Sequence, residues 1–309
     1  HAAEWVKYAN IKKKYNVRYW MIGNESWNKN NENSTVEIYA QDIIDFSKAM
    51  KAVDPSILVI PNGDSDEFFK TVINKAGNYI DRLCVSNYGV FDFNAGYESY
   101  RDTTRCLIWP AQTALNAMNK YATQEQLDKW KLIVAEYGTI DWAGLWHGTN
   151  DMGHAIVNFD MTGQLLLEPQ IEFSCFWNTR WLNNEEYPQT DHDAVDSNGN
   201  INPTGYSLLI WNKFMGDKMI KSESMGAIIS YASYSPHENR LFVYFINKGE
   251  REENVNLIIP NKAAAKIVQC WEYFGKDDKD VAPIWQQKRV EGLEFDLKKY
   301  SITVAEYLL

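Results

Sequence analysis

The most informative stretch of this sequence is Val17-Arg18-Tyr19-Trp20-Met21-Ile22-Gly23-Asn24-Glu25-Ser26-Trp27. It is an apolar run that stops abruptly at an amide and a carboxylate, with an aromatic residue two positions later. Buried parallel strands are apolar along their length, so a carboxylate at the end of such a strand is typical of an active site. The pattern recurs about 110 residues later in Lys131-Leu132-Ile133-Val134-Ala135-Glu136-Tyr137-Gly138. Two such glutamates, each close to an aromatic residue, indicate a carboxylate pair of the kind that cleaves glycosidic bonds.

The spacing of apolar residues predicts an α/β fold. Before residue 181, near-continuous apolar runs alternate with amphipathic helical stretches, as in a parallel sheet covered by helices. Polar and aromatic residues gather where these runs end, which is typical of the active-site face of a (β/α)8 TIM barrel. The predicted strands are 17–24, 57–60, 80–88, 132–135 and 172–177.

The pattern changes from about residue 222 to short alternating runs separated by polar turns, which predicts an all-β sandwich. We therefore expect two domains. Residues 1–218 form the C-terminal part of a (β/α)8 catalytic barrel, and residues 219–309 form a β-sandwich domain. Cys84, Cys175 and Trp5 are expected in the core.

Composition excludes several classes of protein. A net charge of −10 argues against binding to a nucleic-acid backbone. No apolar run approaches the ~20 residues of a membrane span. The chain has 12 Trp and 18 Tyr, and such flat apolar rings suit the C–H faces of sugars. The expected partner is thus an oligo- or polysaccharide, with no nucleic acid and no membrane; a secreted or periplasmic location is favoured over a cytoplasmic one.

Other side chains at the predicted strand ends and in the loops are candidates for binding a sugar. Asn24 precedes the first glutamate and can hydrogen-bond a hydroxyl next to the reacting carbon, while Tyr88 either orients the nucleophile or packs. The predicted substrate-binding residues are Asn24, Trp27, Asn87, Tyr88, Trp142, Trp177 and Asn178. No metal site and no cofactor are predicted: the cysteines show no C-x-x-C, and His147 and His154 have no second ligand at metal spacing.

The run Tyr19-Trp20-Met21-Ile22-Gly23-Asn24-Glu25 resembles the acid/base motif of clan A retaining glycoside hydrolases, most closely the α-L-arabinofuranosidases of glycoside hydrolase family 51. The run from Tyr39-Ala40 through Ala49 to Ile57 is similar to the helix and strand that follow in that family. The resemblance implies Glu25 as the acid/base at the fourth barrel strand and Glu136 as the nucleophile at the seventh. It also implies the trailing β-sandwich.

This sequence departs from the family pattern in three places. Ala135-Glu136-Tyr137 stands where the family shows Asp-Glu-Trp, and Asn87-Tyr88 stands where it places a His before an aromatic residue. The three strands that precede the Asn-Glu strand are absent. Five parallel strands cannot close a barrel, so we expect exposed apolar surface along Val17–Asn24, to be covered by an N-terminal barrel half or by a partner in a homo-oligomer.

The sequence therefore predicts a retaining glycosidase that acts on plant or algal polysaccharide by double displacement, most like an α-L-arabinofuranosidase. Two alternatives stay open. One is an endo-acting clan A glycanase that cleaves β-glucan or an agar-type galactan. The other is a non-catalytic carbohydrate-binding protein that keeps an aromatic groove.

Overall fold

The structure is a computed structural model that describes residues 1–28, 35–90, 96–180, 193–260 and 265–309. The chain divides into two compact units, each made of segments that are discontinuous in sequence. Unit 1 comprises His1–Asn87, Ile108–Tyr137 and Glu168–Phe176, and unit 2 comprises Tyr88–Leu107, Gly138–Leu167 and Trp177–Leu309. The domain boundary between residues 218 and 219 stays a prediction.

Helices and strands alternate in the first part of the chain, and strands dominate the last part. The α-helices are α1 (Ala2–Val6), α2 (Val36–Lys51), α3 (Asp66–Ala76), α4 (Tyr97–Arg101), α5 (Trp109–Tyr121), α6 (Gln124–Leu127), α7 (Met152–Leu167) and α8 (Pro203–Phe214). The strands are β1 (Tyr19–Ile22), β2 (Leu58–Pro61), β3 (Leu83–Asn87), β4 (Leu132–Tyr137), β5 (Ile171–Phe176), β6 (Lys218–Ile220), β7 (Ile228–Ser235), β8 (Arg240–Asn247), β9 (Glu253–Asn256), β10 (Lys266–Phe274), β11 (Ile284–Gln287), β12 (Glu294–Leu297) and β13 (Ser301–Leu308). Among the described residues, no helix has the length and apolarity that crossing a bilayer requires.

Unit 1 is built on the five predicted parallel strands, β1 to β5, and their existence is confirmed. β1 pairs with β2, and β3, β4 and β5 pair in that order. A single parallel bridge between Asn62 and Cys84 joins the two groups. Helix α2 begins at an N-cap, Thr35, whose hydroxyl accepts from the backbone N–H of Ile38 at 3.5 Å. The spacing of its apolar residues by three and four buries one face of this helix.

The parallel strands of unit 1 curve strongly. The ring of Tyr19 on β1 lies edge-on against Phe173 on β5, with centroids 5.1 Å apart, and its hydroxyl donates to Glu172 at 2.8 Å. In a flat five-stranded sheet the outer strands would be about 19 Å apart, since strands are spaced by about 4.8 Å. We call the side toward which the sheet curls the inner face; it carries Tyr19, Ile60, Cys84 and Ile133 in one apolar cluster.

The described strands do not close into a barrel, so the (β/α)8 prediction is observed only in part. β1 pairs only with β2, and β5 only with β4, among the described strands. Val17 is 37% exposed and Met21 on β1 is 41% exposed, as expected for apolar surface along the first strand; Phe173 on β5 is 36% exposed. The core assignments of Cys175 and Trp5 are wrong, because Cys175 is exposed on uncovered β5 and the Trp5 side chain is 68% exposed.

Unit 2 contains the predicted β-sandwich, whose layers are a six-stranded antiparallel sheet and a two-stranded sheet. The larger sheet has the order β11-β10-β13-β8-β7-β6, and β12 pairs with β9. Phe245 of the larger sheet packs against Phe295 of the smaller one, with centroids 4.9 Å apart, and both are buried. The short strands β6, β11 and β12 were not predicted, because three or four residues show too little alternation to be recognised.

Candidate active site

The first candidate glutamate lies in a tight turn after β1. The strand ends at Ile22 rather than at Asn24, because Gly23 adopts a positive φ of 72°. Glu25 also has a positive φ, 45°, which is the left-handed region that L-residues other than glycine rarely occupy. The backbone carbonyl of Glu25 accepts from the N–H of Asn28 at 2.8 Å and closes the turn. Strained backbone of this kind clusters at functional sites.

Asn62, which follows β2, holds both sides of this turn. Its Nδ2 donates to the carbonyl of Ile22 at 2.9 Å, and its Oδ1 accepts from the N–H of Ser26 at 2.7 Å. Tyr39 on α2 also donates to the carbonyl of Ile22, at 2.6 Å, and accepts from the N–H of Asn62 at 3.0 Å. Asn24 and Glu25 are thus bracketed by a buried hydrogen bond at Ile22 and a partly buried one at Ser26. Sequence reasoning noted no role for Asn62, although an amide directly after an apolar strand was the available signal.

The second candidate glutamate is turned to the inner face by a β-bulge. Along β4, Val134 pairs with Val85 of β3, but Ser86 pairs with Glu136, so that Ala135 is an extra residue. Without the bulge, alternation would place Glu136 on the face opposite Ile133. The extra residue restores Glu136 to the same face as Ile133. Bulges are known to re-aim side chains beside active sites.

The electrostatics of Cys84 agree with this orientation. Cys84 lies on the inner face of β3, and its pKa is raised by burial and by the negative charge of Glu136. Glu136 is partly buried, as is Glu25. Because β1 and β4 are parallel, residues that follow or close them lie at the same, C-terminal edge of the strands of unit 1.

Asn87 and Tyr137, which pair across β3 and β4, lie on the outer face. Asn87 is fully buried, and its Oδ1 accepts from the N–H of Ala111 in the first turn of α5 at 3.3 Å. Tyr137 lies edge-on against Phe176 with centroids 5.6 Å apart. The side-chain oxygen of Asn87 therefore accepts a hydrogen bond at the start of helix α5. A role for Asn87 in binding substrate stays a prediction.

The remaining predicted binding residues are divided between the units. In unit 1, Asn24 is exposed and Trp27 is half-buried in the turn that carries Glu25. Tyr88, Trp142, Trp177 and Asn178 belong to unit 2. There, the buried ring of Tyr88 lies edge-on against the exposed ring of Trp142, with centroids 5.6 Å apart. Trp177 and Asn178 are joined by a cis peptide bond, and the carbonyl of Asn178 accepts from the N–H of Ala194 at 3.0 Å.

One group of side chains among the described residues has the composition of a metal site. His147, Asp151 and His154 approach one another at the start of α7 in unit 2. The sequence prediction names the two histidines but not Asp151, which lies between them in the chain. Its spacing of four and three residues from the two histidines was the available signal.

A short segment of the chain is similar in sequence to fungal arabinofuranosidases. No protein-family model matches the chain. A 60-residue segment is 42% identical to the probable alpha-L-arabinofuranosidase C of Aspergillus niger and 45% identical to alpha-L-arabinofuranosidase C of Emericella nidulans. The segment covers 17% of this chain and only 12% of either relative.

Solved structures resemble the chain along its whole length. The alpha-L-arabinofuranosidase of Thermotoga maritima superposes on all of it with a TM-score of 0.78 and 19% identity, and 73% of that protein is covered. The family 51 enzyme of Thermotoga petrophila gives 0.75 at 17% identity, covering 99% of this chain and 72% of the other. A family 44 endoglucanase of Clostridium thermocellum gives 0.65 at 16%, covering 99% and 70%. The predicted resemblance to family 51 is thereby confirmed at the level of fold.

Proposed function

We propose that this chain carries the catalytic carboxylates of a retaining glycoside hydrolase, with Glu136 as the nucleophile and Glu25 as the acid/base. The proposal rests chiefly on the bulge in β4, which turns Glu136 toward the inner face at the edge of unit 1 where the Glu25 turn also lies. The likeness in fold to family 51 structures supports it. In this proposal β1 to β5 are later strands of a (β/α)8 barrel.

The proposed chemistry has two displacements. In the first, the carboxylate of Glu136 attacks the anomeric carbon while the carboxylic acid of Glu25 donates its proton to the leaving oxygen. In the second, the carboxylate of Glu25 takes a proton from water, and the resulting hydroxide attacks the same carbon and releases Glu136. This requires carboxyl groups about 5–5.5 Å apart. Asn24 would hydrogen-bond the hydroxyl next to the reacting carbon, and Trp27 would stack on a sugar ring.

The proposed substrate is an α-L-arabinofuranoside at the end or on the side chain of a plant polysaccharide. The names of the sequence relatives support this choice. An endo-acting β-glucanase is the alternative, and the likeness in fold to a family 44 endoglucanase favours it. Asn87, Tyr88, Trp142, Trp177 and Asn178 are proposed to bind the sugar in either case. Further strands or a second copy of the chain are proposed to cover the exposed edge of β1.

Activity on 4-nitrophenyl α-L-arabinofuranoside and on β-glucan, measured for the 309-residue chain and its variants, tests this proposal. Glu25→Gln should lower kcat by about 10²- to 10⁴-fold, because Glu25 is also the base of the second displacement. The loss in kcat/KM should be smallest for substrates whose leaving group needs no proton. Glu136→Gln should lower kcat by about 10³-fold or more for every leaving group. Glu67→Gln, on the exposed side of α3, is the matched control and should behave like the unaltered protein.

The same variants separate an enzyme from a carbohydrate-binding protein. In an enzyme, Glu136→Gln abolishes turnover while the affinity for arabino-oligosaccharide changes little. If the unaltered protein binds such oligosaccharides but turns over none of the substrates, the catalytic proposal is contradicted. Turnover of β-glucan alone would overturn the arabinofuranoside assignment but leave the two-glutamate mechanism in place.

A further inference from the structure

Three side chains that can bind metal ions converge at the start of α7. Nε2 of His147 lies 3.3 Å from Oδ2 of Asp151, and Nδ1 of His154 lies 2.8 Å from Oδ1 of the same carboxylate. One ligand atom from each residue lies within 4.8 Å of the other two. Small side-chain movements would bring all three atoms to the ~2.0–2.2 Å at which nitrogen and oxygen bind zinc.

The charge around Asp151 favours a cation. Its side chain is 1% exposed, and a buried carboxylate is costly unless it is compensated. Among the described residues, neither lysine nor arginine forms an ion pair with Asp151, and its Oδ2 accepts no hydrogen bond. The carboxylate of Asp278 is close enough for its negative charge to interact with that of Asp151. The positive charge of Lys279 interacts with His147.

Capping of helix α7 uses only one of the two oxygens of the Asp151 carboxylate. Asp151 precedes α7, and its Oδ1 accepts from the backbone N–H of His154 at 3.0 Å, as an N-cap residue does. That role does not involve Oδ2, which faces Nε2 of His147 at 3.3 Å. His154 is held in place independently, because its ring stacks on Trp146 at a centroid distance of 3.7 Å and an angle of 11°. Asp151 and His154 are thus held in place before any ion binds.

We propose that His147, Asp151 and His154 bind a divalent transition-metal ion of the zinc class. Two imidazoles and one carboxylate suit Zn²⁺, whereas Ca²⁺ and Mg²⁺ take oxygen ligands. The side chain of His147 is 37% exposed, so an ion can enter from solvent. The site lies in unit 2 and uses neither Glu25 nor Glu136, so it stands apart from the proposed hydrolase function.

The test is a titration of the chelator-treated 309-residue protein with Zn²⁺ by calorimetry and with Co²⁺ by visible absorption. We expect one equivalent to bind, a tetrahedral Co²⁺ spectrum, and a rise in Tm on adding Zn²⁺. His147→Ala should weaken binding by at least about tenfold, the order expected when a zinc ligand or its supporting partner is lost. Asp151→Asn keeps an acceptor for the helix cap but removes the charge, and should also weaken binding.

His237→Ala, in an exposed turn of unit 2, is the control and should bind like the unaltered protein. Circular dichroism of the metal-free variants shows whether each is folded. The proposal is overturned if no equivalent binds, or if His147→Ala and His237→Ala bind Zn²⁺ equally well. Glu136→Gln should bind the metal unchanged, which keeps this result separate from the test of catalysis.

Discussion

Glu25 occupies a backbone conformation that costs energy. A non-glycine residue in the left-handed region is destabilised by roughly 1–2 kcal/mol, and Glu25 has a φ of 45°. Glycine would remove this cost, yet the chain has a glutamate there. Under the proposed function, the carboxylate of Glu25 is kept for its chemistry at the expense of stability.

Replacing Glu25 by Gly and by Ala separates the strain from the chemistry. Both variants lack the carboxylate and should be inactive, but Glu25→Gly should be about 1 kcal/mol more stable than Glu25→Ala, because only glycine accepts the positive φ freely. Urea unfolding measures the difference. At Asp42, exposed in the middle of helix α2, the order should reverse, with Gly about 1 kcal/mol less stable than Ala. If the Gly variant ranked the same way against the Ala variant at both positions, the positive φ of Glu25 would be contradicted.

Asn62 should act on catalysis by positioning the Glu25 turn. Asn62→Ala removes the bonds to Ile22 and Ser26. The carbonyl of Ile22 keeps its bond from Tyr39, but the N–H of Ser26 loses this acceptor, so we expect a loss of about 1–3 kcal/mol in the free energy of unfolding. We also expect kcat to fall more than KM rises, because the acid is displaced while most substrate contacts remain. Asn116→Ala, on the exposed side of α5, is the control. A change in stability without any change in kcat would limit Asn62 to a structural role.

At the scale of elements, one cluster of side chains ties three strands of unit 1 together. Glu172 on β5 accepts hydrogen bonds from Arg82, directly before β3, and from Tyr19 on β1. Both hydrogen bonds lower the pKa of Glu172 below its usual 4.5, and the bond from Arg82 has the larger effect. The cluster joins the first and last strands of the curved sheet, which are not paired with each other through their backbones.

The lowered pKa makes the stability of the protein depend on pH. The unfolded chain binds a proton at Glu172 more readily than the folded one, so the contribution is present above about pH 4.5 and is lost as the pH falls through the folded pKa. Glu172→Gln should therefore be less stable than the unaltered protein at pH 7, by a few tenths to about 1 kcal/mol for a partly exposed pair. Thermal unfolding between pH 3 and 7 should show this gap closing on acidification. Tyr19→Phe, which removes one donor, should show part of the same effect, and a gap that widened toward acid pH would refute it.

At the scale of the whole molecule, the exposed thiol of Cys175 can report on whether the uncovered strands of unit 1 become covered. Cys175 on β5 and Cys106 in unit 2 are exposed, whereas Cys84 and Cys270 are buried. Burial also raises the pKa of Cys84 and raises that of Cys270 to about 12, which further suppresses their thiolates. The thiols therefore report separately on surface and core.

An aromatic disulfide reagent should modify two thiols in the native protein and all four in urea. Cys106→Ser and Cys175→Ser should each lower the native count by one. In an assembly that covers the inner face of β5, Cys175 should become protected while Cys106 stays reactive, which provides an internal control. Rapid modification of Cys84 in the native protein would contradict the described packing of unit 1.

The sequence was sufficient to predict the local features. Apolar runs identified all five parallel strands, and alternating runs identified the long strands of the sandwich, because burial imposes a period that can be read along the chain. The abrupt change from apolar to acidic residues at Glu25 and Glu136 identified the candidate pair. Short strands such as β11 were missed because four residues carry too little periodicity.

Only the tertiary structure established the direction of the side chains. Strict alternation from Ile133 places Glu136 on the outer face, and the bulge at Ala135 reverses this, since one unpaired residue changes the face of every residue after it. A bulge arises from pairing between β3 and β4, distant in sequence, so no local pattern reveals it. The hydrogen bonds of Asn62 to the Glu25 turn and the convergence of Asp151 with two histidines likewise depend on which segments meet, and a linear pattern of apolar and polar residues does not contain that information.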